Sequence, residues 1–197
     1  KLSGLEQLSF SGEQGALIVS AHLGNIEMAR ALAVQRKLTI NAVVYTEHAQ
    51  RFNSFLANSS ADFGVNLIQV SQFGPDTAVM LKDKIDQGEM VVIMGDRTPP
   101  AENGRIVTAD FLGYPADFAQ GPWILASLLE CPVYLMFCLS GRQDYTIFLE
   151  PFAEKVVLPR KERSFHVADY AQRYARRLEV YCKQYPLQWF NFFHFWK

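Results

Sequence analysis

The chain carries almost no net charge. Its 19 Lys and Arg stand against 20 Asp and Glu, a formal net charge of −1, so nothing draws it toward nucleic acid as a whole. Cysteine is scarce. Cys131, Cys138 and Cys182 are odd in number and lack metal-type spacing, which argues against a disulfide framework or a zinc module. They read as reduced core residues in a cytosolic compartment. No apolar run approaches the roughly 18 residues of a membrane span, and no signal peptide is recognisable. A Gly-x-Ser-x-Gly elbow, a phosphate loop and a dinucleotide fingerprint are all missing. No His, Cys, Asp and Glu cluster makes a convincing ligand set, so neither a metal nor a redox cofactor is expected. The first residue is Lys1 rather than Met, in what reads as mid-domain sequence, and a fragment of a longer chain is expected.

What is present is a chain of 197 residues, enough for one domain with a real core. Its 49% apolar and 20% charged residues are those of a globular protein. Phenylalanine is frequent, at 15 residues, which suits either a large apolar cleft or a thick aromatic core. Short apolar runs alternate with helical patterns and predict an α/β fold, a single domain built on a mostly parallel mixed sheet of about seven strands flanked by helices. The expected strands cover 17–21, 40–45, 66–70, 90–94, 107–111, 133–139 and 145–149, and the expected helices 26–36, 49–60, 76–87, 122–129 and 165–184. Residues 98–104, rich in Pro, Asn and Gly, read as a loop.

The chain turns on residues 16–30, ALIVSAHLGNIEMAR. Residues 16–21 form a short apolar run typical of a buried strand. Gly24 breaks it, and Asn25 is a good N-cap for the helix that should follow. His22 is therefore expected in the turn at the carboxyl end of a strand, with Glu27 in the first turn of the next helix; in open α/β sheets that crevice takes ligands. Residues five apart on one continuous helix would point about 140° apart. Across a turn, however, the Glu27 carboxylate can fold back onto the imidazole. A carboxylate on one ring nitrogen fixes the tautomer, and the other nitrogen can then take a proton from a hydroxyl. The plainer alternative is a coincidence of spacing, with Glu27 favoured in a first helical turn by the helix dipole.

Other candidates are weaker. Gly95-Asp96-Arg97 follows an apolar run, which puts Asp96 and Arg97 at the same sheet edge as His22 if the strands are parallel. Arg97 is suited to gripping a phosphate or carboxylate, but a structural Asp–Arg pair fixing a loop fits equally. Arg51 and Asn53 read as a solvated helix start, Glu47-His48 as surface, and His166 with Asp169 as an exposed helical pair. Residues 159–177 hold six Arg and Lys against Glu162 and Asp169. Such a run is usually a solvated helix face, and otherwise suits an anionic membrane surface or an acidic carrier protein. The aromatic tail from Trp189 suits a last strand packed on the core better than a lipid interface, because Asn191 and His194 interrupt any apolar face.

Ser20-Ala21-His22-Leu23-Gly24-Asn25-Ile26-Glu27 resembles the His-x4-Asp/Glu block of the lysophospholipid acyltransferase superfamily, in the form found in the lipid A late acyltransferases. Arg51-Phe52-Asn53, Gly95-Asp96-Arg97-Thr98-Pro99, Phe111-Leu112-Gly113, Gln120-Gly121-Pro122 and Cys131-Pro132-Val133 follow in the order of that branch. The ending from Gln188 to Trp196 resembles a subgroup of predicted acyltransferases found beside glycolipid and polyene-lipid pathways, although His194 stands where that subgroup has an acidic residue.

The resemblance implies a glycerol-3-phosphate acyltransferase-like fold over residues 1–197, without the N-terminal segment that usually precedes the His block. It implies an O-acyltransferase that moves a fatty acyl group from an acyl carrier protein or coenzyme A thioester to a lipid or glycolipid hydroxyl, with no cofactor beyond that co-substrate. His22 would be the general base and Glu27 its orienting carboxylate. Asp96, Arg97 and Arg51 would contribute to substrate binding, and backbone amides around Asn25 or Gly121 would supply oxyanion donors. A cytoplasmic protein is expected, resting peripherally on the inner face of the membrane. A thioesterase-like hydrolase and a non-catalytic acyl-binding module remain as rivals.

Overall fold

The computed structural model describes residues 14–25, 38–44, 65–70, 74–98, 105–141, 144–192 and 195–196. The expected helices 26–36 and 49–60 lie outside these residues. Within them the chain is a mixed α/β domain. The main sheet has six strands: β1 (Leu17–Gly24), β2 (Ile40–Val44), β3 (Val65–Gln69), β4 (Met90–Met94), β7 (Val133–Ser140) and β8 (Tyr145–Ala153). Their order is β3-β2-β4-β1-β7-β8, parallel throughout except for the antiparallel edge strand β8.

The runs Leu17–Ala21, Met90–Ile93 and Val133–Leu139 are almost uniformly apolar because the inner strands are covered on both faces. Side chains alternate across the sheet. Leu17, Val19, Val91, Ile93 and Leu135 enter one core, while Ile18, Met90, Val92 and Met136 enter the other. Each fully buried aliphatic side chain contributes roughly 1.5–3 kcal/mol.

Three helices are present among the described residues: α1 (Pro75–Asp86), α2 (Gly121–Leu129) and α3 (Arg163–Gln184). All three pack on the first face. α1 opens on a proline, with Asp76 in its first turn and Lys84 in its last, charges that suit its dipole. The stripe of α3, Val167, Ala171, Tyr174, Ala175, Leu178, Tyr181 and Cys182, repeats every three to four residues, so one face of this 22-residue helix is buried along its whole length.

The expected seven-strand sheet is corrected at one strand. The segment expected at 107–111 is β5 (Ile106–Phe111), which pairs with β6 (Tyr114–Ala119) in a separate hairpin rather than joining the main sheet. A two-residue turn, Leu112-Gly113, joins them with both residues at positive φ. The sequence hid β6 because Pro115 and Asp117 read as loop. The hairpin is held on α3 by side chains. The Gln172 amide bonds both the N–H and the C=O of Asp110, and Glu179 accepts the N–H of Leu112.

Candidate active site

β1 and β4 run side by side up to Ser20 and Met94, and each chain continues two residues further, to His22 and Asp96. On its other side β1 falls out of step with β7. Ser20 faces Met136 and Gly24 faces Cys138, so four residues of β1 span two of β7. His22 sits on this bulge, inside β1 rather than in a turn after it. Bulges re-aim side chains and free backbone groups from the ladder.

Freed groups need other partners. The His22 N–H donates to Asp96 Oδ2 at 2.9 Å. The His22 carbonyl accepts the N–H of Phe190 at 2.8 Å. Gly24 closes the bulge at φ +78°, where a Cβ would lie 1.9 Å from the Cys138 carbonyl oxygen. The Asn25 N–H donates to that same carbonyl at 2.8 Å, so this amide is committed to the sheet rather than offered to an oxyanion.

The Asp96 side chain is 3% exposed and that of His22 32%. Asp96 Oδ1 lies 2.8 Å from His22 Nδ1, and Oδ2 also accepts the indole N–H of Trp189 at 3.3 Å. An ionised Asp96 can only accept, and with it Nδ1 is the nitrogen that carries the proton. Nε2 is then the basic nitrogen of the ring.

Tyr174 supports this arrangement from α3. Its hydroxyl donates to the Ser20 carbonyl at 2.9 Å, the oxygen that also takes the Gly95 N–H at 2.9 Å. Gly95 allows that approach, since a Cβ there would lie 2.9 Å from both Tyr174 Cζ and Val19 Cγ1. Burial first, and then the Asp96 charge, push the Tyr174 hydroxyl well above its ordinary range, so it stays a neutral donor. Burial likewise pushes the Cys182 thiol up to about 12, with the Asp96 and Glu179 charges adding to it.

Of the residues singled out in the sequence, His22, Asp96 and Arg97 come together at the carboxyl edge of the sheet, where Arg97 is exposed beside the buried Asp96. Glu27, Arg51, Asn53, Glu47, His48 and His194 lie outside the described residues, as does most of the 98–104 loop. Gly121 opens α2 at the opposite end of the β5–β6 hairpin from Phe111, whose ring packs on Trp189. His166 is corrected: it pairs with Glu162 at 3.5 Å, while Asp169 faces Arg173 at 4.0 Å.

Two contacts at His22 and Asp96 were not legible in the sequence. Asp96 was visible at the right sheet edge, but only the β1–β4 register shows that it reaches the imidazole. Trp189 carried no sign of reaching the site beyond the density of aromatics around it. The tail itself divides. Trp189, Phe195 and Trp196 cluster with Phe111, whereas Leu187, Phe190 and Phe192 are exposed.

The basic stretch on α3 is partly consumed by the fold. Arg177 forms a bidentate pair with Glu150, and Arg173 donates to the Phe152 carbonyl at 2.8 Å with its guanidinium over the Phe152 ring. Arg160, Lys161, Arg163 and Arg176 are exposed. No helix among the described residues is long and apolar enough to cross a membrane.

Residues 1–197 match a family model described as bacterial lipid A biosynthesis acyltransferase. No curated protein matches the chain.

Proposed function

Because the chain belongs to the bacterial lipid A biosynthesis acyltransferase family, and so is an acyltransferase that acts on lipid-like acceptors, we propose that it moves a fatty acyl group from an acyl carrier protein or coenzyme A thioester to a hydroxyl of a lipid or glycolipid. The observation that carries this reading is the buried Asp96 carboxylate on Nδ1 of the bulge-borne His22.

In the reaction, His22 Nε2 takes the acceptor's hydroxyl proton as the oxygen attacks the thioester carbonyl. The imidazolium is stabilised by Asp96. The tetrahedral intermediate then collapses, the C–S bond breaks, and the imidazolium returns the proton to the departing thiolate. Glu27, the carboxylate of the His block, and Arg51 remain in the proposed site, and Arg97 grips an anionic group of the acceptor. Leu187, Phe190 and Phe192 are exposed on the segment whose Phe190 N–H bonds the His22 carbonyl, which favours an acceptor taken from a membrane surface. The free basic side chains of α3 favour an acidic donor or anionic headgroups.

The test is thiol release from a panel of acyl thioesters, comparing wild type with His22→Ala, with and without a bacterial lipid extract. Release that requires both His22 and lipid, with the acylated lipid found by mass spectrometry, is the expected result. Equal release without lipid would make the protein a hydrolase. No release, with acyl binding that survives His22→Ala, would make it a binding module.

A further inference from the structure

The segment that follows α3 returns to the site and finishes it. Its anchoring is specific. The Gln188 side chain accepts the N–H of Ser140 at 2.8 Å and donates to the Ser140 carbonyl at 2.7 Å, which fixes the segment to the end of β7. Trp189 then bridges Leu23 in antiparallel fashion, and the Phe190 N–H takes the His22 carbonyl. The indole of Trp189 is packed edge-on against Phe111 and Phe195, at ring separations of 5.2 Å and 5.0 Å, and its N–H reaches Asp96 Oδ2.

The bulge makes this necessary. Beyond Ser20 the strand has left β4, whose last paired residue is Met94, and is out of step with β7. A histidine there would have a loosely held backbone. Its N–H is fixed by Asp96 and its carbonyl by Phe190, so the tail supplies one of the two backbone holds and Trp189 secures the carboxylate that makes the other.

We propose that Trp189 is a positioning residue for the His22–Asp96 pair: its indole N–H fixes the Asp96 carboxylate in the plane and orientation in which Oδ1 meets Nδ1, and the tail that carries it locks the His22 backbone. The tail thus acts as a clamp on the site, through Asp96 rather than by touching substrate. This rests on the acyl-transfer reading for its kinetic consequence, but not for its spectroscopic one.

Among the described residues, Asp96 meets His22 from β1, its charge reaches Tyr174 and Cys182 on α3, and Arg97 follows it in the chain. Tyr174 and Cys182 hold their protons throughout the neutral range. A titration sensed at the Asp96 contacts is assigned to His22 by its disappearance in His22→Gln.

The first measurement reads the wild-type protein, with variants used only for assignment. In the wild-type protein, labelled with ¹⁵N in its tryptophans, the indole N–H signal of Trp189 should shift with pH at the midpoint of the His22 imidazole. Its assignment follows from Trp123→Phe and Trp196→Phe, which remove the other two signals. An indole signal flat across that midpoint would overturn the proposal.

The second measurement is Trp189→Phe, which keeps an aromatic ring and removes the donor. With one donor fewer on Oδ2, the Asp96 carboxylate is freer to turn and meets the ring differently, so the measured His22 midpoint should move from its wild-type position. The kcat for acyl transfer should fall roughly 10-fold or more with KM unchanged, as is common when a supporting hydrogen bond to a site ligand is lost. Equal kcat and an unmoved His22 midpoint would overturn the inference while leaving the acyl-transfer reading intact. Conversely, a coupled indole signal in a protein that transfers no acyl group would uphold the clamp and sink that reading.

Discussion

Asp96 holds His22 by two atoms at once: one carboxylate oxygen accepts the backbone N–H at 2.9 Å and the other meets Nδ1 at 2.8 Å. A side chain bound this way cannot turn without disturbing the strand that carries its partner. The ring orientation and the shape of the bulge are therefore one feature.

This relationship separates two carboxylates by experiment. Asp96→Asn keeps the shape but replaces an acceptor oxygen with an amide, which favours the wrong imidazole tautomer, and kcat should fall roughly 10³-fold or more with little change in KM. Glu27→Gln, measured beside it, should cost less if Asp96 is the orienting group. A larger loss in Glu27→Gln than in Asp96→Asn would return that role to Glu27.

How far the site was legible in the sequence follows from the same pair. The β1 run and its glycine stop were readable, as were α1 and α2, each opened by a proline, and α3, whose apolar residues repeat every three to four positions. Asp96 could be placed at the correct edge. What the sequence does not carry is register. The pairing of Ser20 with Met94 puts His22 and Asp96 at matching heights, and no local pattern encodes that. The bulge was hidden for a related reason, since extra residues in a strand look like a turn. β6 was missed because a proline on a two-stranded hairpin reads as loop, and Trp189 because its role depends on a tail crossing a strand more than 160 residues earlier in the chain.

Arg97 stands exposed beside the buried carboxylate, and the proposed reaction gives it an anionic group of the acceptor to bind. Arg97→Lys keeps the charge and loses the planar fork. Apparent KM for the acceptor should rise roughly 10-fold with kcat little changed, because the interaction is made equally in ground and transition states. An unchanged KM would remove Arg97 from the acceptor site.

Gly24 is the residue on which the bulge closes. Alanine there meets two penalties, a left-handed backbone and a Cβ within 1.9 Å of the Cys138 carbonyl oxygen. Relief requires β1 and β7 to separate where Asn25 also bonds to that carbonyl. Gly24→Ala should destabilise the fold by about 2–4 kcal/mol in urea unfolding. Transfer activity should fall by more than the folded fraction does, because His22 rides on the same bulge. Wild-type stability would mean that Gly24 does not face Cys138 across β1 and β7.

The stability of the protein in acid should report a different carboxylate, Glu150 on β8. Burial alone would raise its pKa, but hydrogen bonds from Arg177 and then from the Tyr181 hydroxyl outweigh it, and the net shift is downward. A group that binds its proton more weakly in the folded state stabilises the fold above its unfolded pKa. That contribution is lost as pH falls through the lower, folded value. The window is therefore below about pH 4, the ordinary carboxylate range. Arg177 is 43% exposed at its side chain, so solvent screens the pair and its contribution at neutral pH is modest, about 1 kcal/mol. Glu150→Gln should unfold at lower urea concentration than wild type at pH 7, and the two curves should converge as pH is lowered through that window. Parallel curves down to pH 3 would show that Glu150 titrates alike in the folded and unfolded chains, and that the Arg177–Tyr181 contacts do not hold its charge.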